Sequence, residues 1–299
     1  MGPLLLHSVS YAGLWGQAFL SLDQFIDKAA DLGYQGVMLM AKRPHLSVLD
    51  YGPKECQRLR AKLEARGLRS VCIAGYTNFS ADLEHGDIPH REIQTQHVTG
   101  LARMAQDLGG SLVRIFTGYE NTAAAYHAQW KLLVDSLREC ARRASDYGVI
   151  VGVQNHHDLA AGYETMYDLI CAVNEPNCRA MFDAWAPYLH GADLAAAAKK
   201  LAPLTVHTTI ADYQLRPRYR YDPRVCNYVT ETPLAQAVPM GQGDIDYRRF
   251  LSALWDRGSN ASVAYEMCSP LLAGGGMEAL DQYARAFLEY MSSTESGPK

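Results

Sequence analysis

The tightest constraint on this chain is a phrase it repeats: a helical stretch, a glycine, one or two residues, then a short apolar run. Ser21–Leu32 places apolar residues at helical spacing and stops at Gly33. Lys54–Arg66 stops at Gly67, Ile93–Leu108 at Gly109-Gly110, Ala124–Tyr147 at Gly148, and Tyr247–Arg257 at Gly258. Glycine stops a helix because it takes the left-handed conformation without a Cβ penalty. Strand-like runs fall around Leu4–Ser8, Gly36–Met40, Ser70–Gly75, Leu112–Phe116, Ile150–Gln154, Ala180–Phe182, Leu204–His207 and Ser262–Glu266. They are short and rich in Val, Ile, Leu and Ala, as parallel strands buried on both faces are. Eight such runs alternating with helices across 299 residues predict a single (β/α)8 TIM barrel of class α/β. No composition break or Ser/Gly linker divides the chain, so residues 1–299 read as one domain.

A formal net charge of −4 leaves no basic footprint, which disfavours a nucleic-acid partner. The seven cysteines form no CxxC pair, and an odd count suits free thiols in a reducing compartment. MGPLLLHSVSYAGLW has no basic region ahead of its apolar run, and no apolar stretch approaches the ~18 residues of a membrane span. A cytoplasmic protein without a membrane partner is the expectation. The interval from Asp212 to Gly243 breaks the rhythm: it is long, holds Pro217, Pro223, Pro233 and Pro239, several tyrosines, and Arg216, Arg218, Arg220 and Arg224. Read as a long loop after strand seven, it suits a lid, a binding loop, a homodimer contact or a solvated structural loop.

In a parallel barrel the C-terminal strand ends converge on one face, and that face carries the chemistry. Gln154, Asp183, His207 and Glu266 close the segments IVGVQ, CRAMFD, LTVH and ASVAYE. Taken singly, Asp183 could cap a helix, His207 could be a satisfied core histidine and Gln154 could bond backbone; Glu266 has no evident capping role. Together, two carboxylates, an imidazole and an amide oxygen predict a site for one divalent cation. Mn²⁺, Mg²⁺ or Co²⁺ suits this donor set, with Zn²⁺ also admissible. Asn155, His156, His157 and Asp158 continue past strand five, and alternation puts His156 on the side of Gln154. Histidine transfers protons near neutral pH, so His156 and His157 are candidate acid/base groups, or else they cap or pack the loop. Arg114 is placed to hold a substrate hydroxyl or phosphate, or to form a structural ion pair. Gly241-Gln242-Gly243 and Gly274-Gly275-Gly276 offer either phosphate-binding turns or plain connectors.

The segments VRIFTG, VGVQNHHD, MFDAW, LTVHTTIADY and GQGDIDYRRFLSALWDRG leading into VAYEM carry a resemblance over nearly the whole chain. It resembles the xylose-isomerase-like TIM-barrel superfamily of sugar isomerases and epimerases, which also includes endonuclease IV and inosose or dehydroshikimate dehydratases. The resemblance implies that Gln154, Asp183, His207 and Glu266 bind one divalent cation, with Mn²⁺ first. Gln154 departs from the family's glutamate, one of two acid/base groups in the epimerases, and Ala186 stands where a histidine is often found. The leading expectation is a metal-dependent isomerase or epimerase of a sugar or keto-sugar acting through an enediolate. Glu266 would be the base, His156 or His157 its counterpart, and Arg114, Arg216 and Arg218 the substrate contacts. A lyase or dehydratase acting on a keto-glycoside or keto-cyclitol needs only one base, which suits Gln154. A non-catalytic sugar-binding protein is the alternative from another class. A nuclease of the endonuclease IV kind would need more His and carboxylate ligands than the chain aligns.

Overall fold

The computed structural model describes residues 2–156, 158–256, 259–268 and 270–295. Seven parallel strands come first: β1 (Leu4–His7), β2 (Gly36–Met40), β3 (Ser70–Ala74), β4 (Leu112–Ile115), β5 (Ile150–Gln154), β6 (Cys178–Met181) and β7 (Thr205–Ile210). A hairpin follows, β8 (Asp212–Asp222) and β9 (Asn227–Val238), and then the last barrel strand, β10 (Ser262–Tyr265). The barrel closes in the order β1-β10-β7-β6-β5-β4-β3-β2. Outside it lie α1 (Leu22–Leu32), α2 (Pro53–Ala65), α3 (His90–Asp107), α4 (Tyr126–Ser145), α5 (Tyr163–Val173), α6 (Trp185–Leu189), α7 (Leu194–Leu201), α8 (Tyr247–Trp255) and α9 (Met277–Glu295).

Local chemistry sets these boundaries. At the start of α1, Ser21 accepts from the Gln24 amide while Gln24 bonds back to Ser21, and Gly33 ends the helix at φ 96°. Its buried stripe of Leu22, Phe25, Ile26 and Ala29 packs toward the strands. The expected stop at Gly258 lies outside the described residues. Two apolar layers result. The larger lies between the outer strand faces and the helices. The smaller fills the barrel with Leu5, Met38, Cys72, Ala74, Met181 and Ala264. Gly152 is required here: a Cβ would stand 2.7 Å from the Met181 side chain, which occupies the barrel axis beside it.

The structure departs from the sequence reading at two places. β7 does not end at His207 but continues through Thr208, Thr209 and Ile210, a β-branched run suited to a strand. The Asp212–Gly243 interval is an antiparallel hairpin rather than an open loop. Its register shifts between Arg216 and Arg218, at Pro217, where proline has no N–H to give the ladder. Asp222 turns the tip by accepting from the Arg224 backbone at 3.0 Å.

Asp212 roots the hairpin. Its Oδ2 accepts from the Gly241 and Gly243 amides at 2.8 and 2.9 Å, and its Oδ1 from the Tyr213 amide at 3.0 Å. The Gly241–Gly243 turn is therefore filled by a side chain, and its amides are not open to a phosphate. A Cβ on Gly243 would meet Asp212 Oδ1 at 1.9 Å. Gly243→Ala is expected to cost about 2 kcal/mol and lower the melting temperature by several degrees, as overpacking against a fixed group does. An unchanged melting temperature would show that Asp212 is not the root described here.

Candidate active site

At the C-terminal end of the barrel lies a cavity of about 610 Å³, a size suited to a small molecule. Strand ends β1, β4 and β5 supply His7, Arg114 and Gln154, and Glu266 follows β10 directly. Lys42 and Tyr76 come from just beyond β2 and β3, and Trp15, after β1, completes the wall on that side.

His7 is fully buried, and its Nδ1 accepts from the Val9 amide at 3.2 Å. An amide can only donate, and so can the Arg114 guanidinium, whose NH2 lies 3.4 Å from Nε2, so each ring nitrogen faces a donor. Nε2 also faces Glu266 Oε2 at 3.9 Å. Burial first, then the nearby Arg114 charge, hold the His7 pKa well below the ordinary histidine range. His7 is thus a neutral group whose Nε2 lies between the Arg114 guanidinium and the Glu266 carboxylate. Glu266 keeps 19% of its side-chain surface exposed, and burial raises its pKa against the opposing pull of Arg114. A carboxylate with a raised pKa is a stronger base once ionised, the tuning that C–H proton abstraction requires.

Arg114 is 2% exposed. Its NH1 donates to the Gly75 carbonyl at 3.1 Å, its NH2 lies 3.4 Å from His7 Nε2, and its Nε has no partner. The guanidinium lies over Phe116 at 4.1 Å and Tyr76 at 4.9 Å, a cation bracketed by rings. Lys42 sits over the same Tyr76 ring at 4.3 Å, its pKa lowered by burial and by Arg114. His156 is exposed and packs its ring 4.8 Å from Phe116, on the cavity wall. His157 lies outside the described residues.

Of the four strand-end donors expected to share a cation, Gln154 meets Asp183 and lines the cavity with Glu266, but His207 stands apart. Register pairs His207 with Ser262, and Glu266 stands four residues beyond Ser262, about 13 Å further along the strand direction. His207 instead bonds Ser262 through Nδ1 at 2.6 Å, inside the barrel, and burial lowers its pKa to about 3. The overrun of β7 explains this: Thr209, level with Ala264, occupies the inward position above His207. Asp183 accepts from the Thr209 amide at 2.6 Å through Oδ1, and the Gln154 amide nitrogen donates to its Oδ2. Asn155 clamps the Asp183 backbone from both sides, at 2.7 and 2.9 Å. Among the described residues, no group of three or more His, Cys, Asp or Glu side chains is arranged to hold an ion. The donor set therefore does not fit the single cation that the family resemblance implies.

Arg216 and Arg218 are also displaced from the expected role. They lie on the hairpin, bonded to Gln236 at 3.0 Å and Glu231 at 3.4 Å, and neither lines the cavity. The Gly274–Gly276 turn packs against the segment after β1, where Ala18 donates to the Gly275 carbonyl at 2.7 Å. His7, Lys42 and Tyr76 complete the cavity from β1–β3, outside the last four strands that carry the expected donors. The same strand-end rule applied to β1–β3 finds them.

A closed parallel barrel with polar groups gathered in a cavity at its C-terminal face defines the general class. The chain belongs to the xylose-isomerase-like TIM-barrel family, whose pattern matches residues 26–290. By structure it is similar to D-psicose 3-epimerase of Clostridium cellulolyticum H10, with TM-score 0.75 and 17% identity over 98% of this chain and 99% of that one. It is also similar to a probable 3-DHS dehydratase of Bacillus anthracis, with TM-score 0.72 and 17% identity over 97% and 99% of the two chains. By sequence it is 25% identical over 155 residues to an inosose dehydratase of Histophilus somni, 48% of this chain and 46% of that protein. The match thus spans about half the length of that relative. No helix among the described residues is long and apolar enough to cross a membrane.

Proposed function

We propose that this chain is an isomerase or epimerase of a small sugar or keto-sugar, working by proton transfer next to a carbonyl. The observation that carries the reading is Glu266 in the cavity, with His7 Nε2 at 3.9 Å and the Arg114 guanidinium close by. Ionised Glu266 takes the proton from the carbon beside the carbonyl, and the C–H electron pair moves into the C–C bond as the carbonyl oxygen becomes an enediolate oxyanion. A basic carboxylate and preorganised hydrogen-bond donors are the two requirements of that step. Return of the proton to the neighbouring carbon, with a hydroxyl proton moving between the oxygens, gives isomerisation. Delivery to the opposite face of the same carbon gives epimerisation, with Lys42 or His156 as the donor. Gln154 cannot exchange protons and, lining the cavity, is assigned to hydrogen-bond a substrate hydroxyl.

Elimination is the second reading. Among the described cavity-lining residues Glu266 is the carboxylate, and one base suffices to expel a β-hydroxyl as water. Relatives of both kinds, epimerases and dehydratases, support keeping the two together. Mass spectrometry of the products from a panel of ketohexoses and keto-cyclitols separates them. Conserved mass is the expected result; loss of water assigns the lyase, and no change in any member of the panel contradicts both.

A further inference from the structure

We propose that the strand-end site of this chain works without a divalent cation, and that the guanidinium of Arg114 supplies its positive charge. The inference rests on reading the cavity as the reaction chamber and goes beyond it in naming what stabilises the oxyanion.

Three features of the donor set speak against an ion. His207 is spent on Ser262 one inward layer below Thr209, too far down the strand to meet Glu266. Asp183 receives the Thr209 amide on one oxygen and the Gln154 amide nitrogen on the other. N–H donors thus occupy lone pairs that a metal would need. Thr209, whose hydroxyl is buried without a partner, offers a neutral oxygen where an imidazole or carboxylate would be required for tight binding.

The positive charge is present in another form. Arg114 is a permanently ionised group, 2% exposed, and among the described residues no carboxylate lies within ion-pair distance of it, Glu266 acting on it only at longer range. Burying such a charge alone is costly unless a ligand completes it. Arg114 lines the cavity, where an anionic oxygen can meet its guanidinium, and Phe116 and Tyr76 fix the plane of that group. Lys42, 4.3 Å from the centre of the same Tyr76 ring, adds a second cation that would repel a divalent ion. The result is a preorganised cationic hole for an enediolate, built from side chains.

Oxalate, a planar dianion shaped like an enediolate, serves as the probe in titration calorimetry. The wild type is expected to bind it equally well in excess EDTA and in Mn²⁺. Arg114→Met should weaken binding at least about tenfold, as loss of a charge-assisted hydrogen bond does, and Arg114→Lys should recover part of the loss. Mn²⁺ titrated alone should give no saturable uptake. The proposal is overturned by one Mn²⁺ taken up per wild-type chain, by oxalate binding that needs Mn²⁺, by no oxalate binding at all, or by equal affinity in wild type and Arg114→Met. These readouts are of binding, so they stand or fall separately from the turnover assays above.

Discussion

Glu266→Gln is expected to lower kcat by about 10²–10⁴-fold, the contribution typical of a positioned acid/base group, with KM changed far less. The substitution keeps the shape of the side chain and its place beside His7, but an amide cannot accept the proton. Burial already disfavours the charge of Glu266, so the variant should fold at least as stably as the wild type. Its failure would then be chemical. Steady-state kinetics on the active keto-sugar checks this. Retention of kcat within about threefold would remove Glu266 from the reaction and favour a binding role for the cavity.

The second large effect is on stability. Burial raises the Asp183 pKa to about 7, against the bonds from Thr209 and Gln154 that pull it down. An acid whose folded pKa lies above its unfolded value of 3.8 favours the fold when protonated. That stability is fully present below 3.8 and is lost as pH rises through about 7. Three pKa units amount to on the order of 4 kcal/mol, an upper bound for a site that can relax. Asp183→Asn removes the titration, and rotation of the Gln154 amide presents Oε1 to the new N–H. The variant should therefore be more stable than wild type at about pH 8 and nearly equal to it at about pH 4. Urea unfolding at both pH values measures the difference, in which the paired surface carboxylates cancel. A destabilised variant at the higher pH would indicate a charged Asp183 held by a cation, against the site described here.

The barrel was legible because its signals are local. Glycine stops at Gly33, Gly67, Gly109 and Gly148 and unbroken apolar runs each report a backbone state without reference to distant residues. The end of β7 was misjudged because a histidine inside an apolar run looks like a terminus. The Thr208-Thr209-Ile210 continuation carried the contrary signal, since β-branched residues favour a strand. The hairpin was hidden by its prolines, which forbid ladder bonds at single positions and yet are tolerated at a register shift. At the site, Glu266, Arg114, Gln154 and His156 could be placed on the cavity from strand ends alone. Sequence could not reveal which way the Gln154 amide points, nor that Asp183 spends both oxygens on N–H donors. Those depend on the register of β5, β6 and β7 together.

The central claim is that Glu266 exchanges a proton with carbon in this cavity. Deuterium uptake from D₂O into keto-sugar product, followed by NMR with wild type and Glu266→Gln in excess EDTA, tests it most directly. Deuterium at the carbon beside the carbonyl with wild type, and none with the variant, is the predicted result. Product formed without deuterium would mean that hydrogen moves between carbons out of reach of solvent, and turnover or exchange that persists unchanged in Glu266→Gln would contradict the assignment of the base.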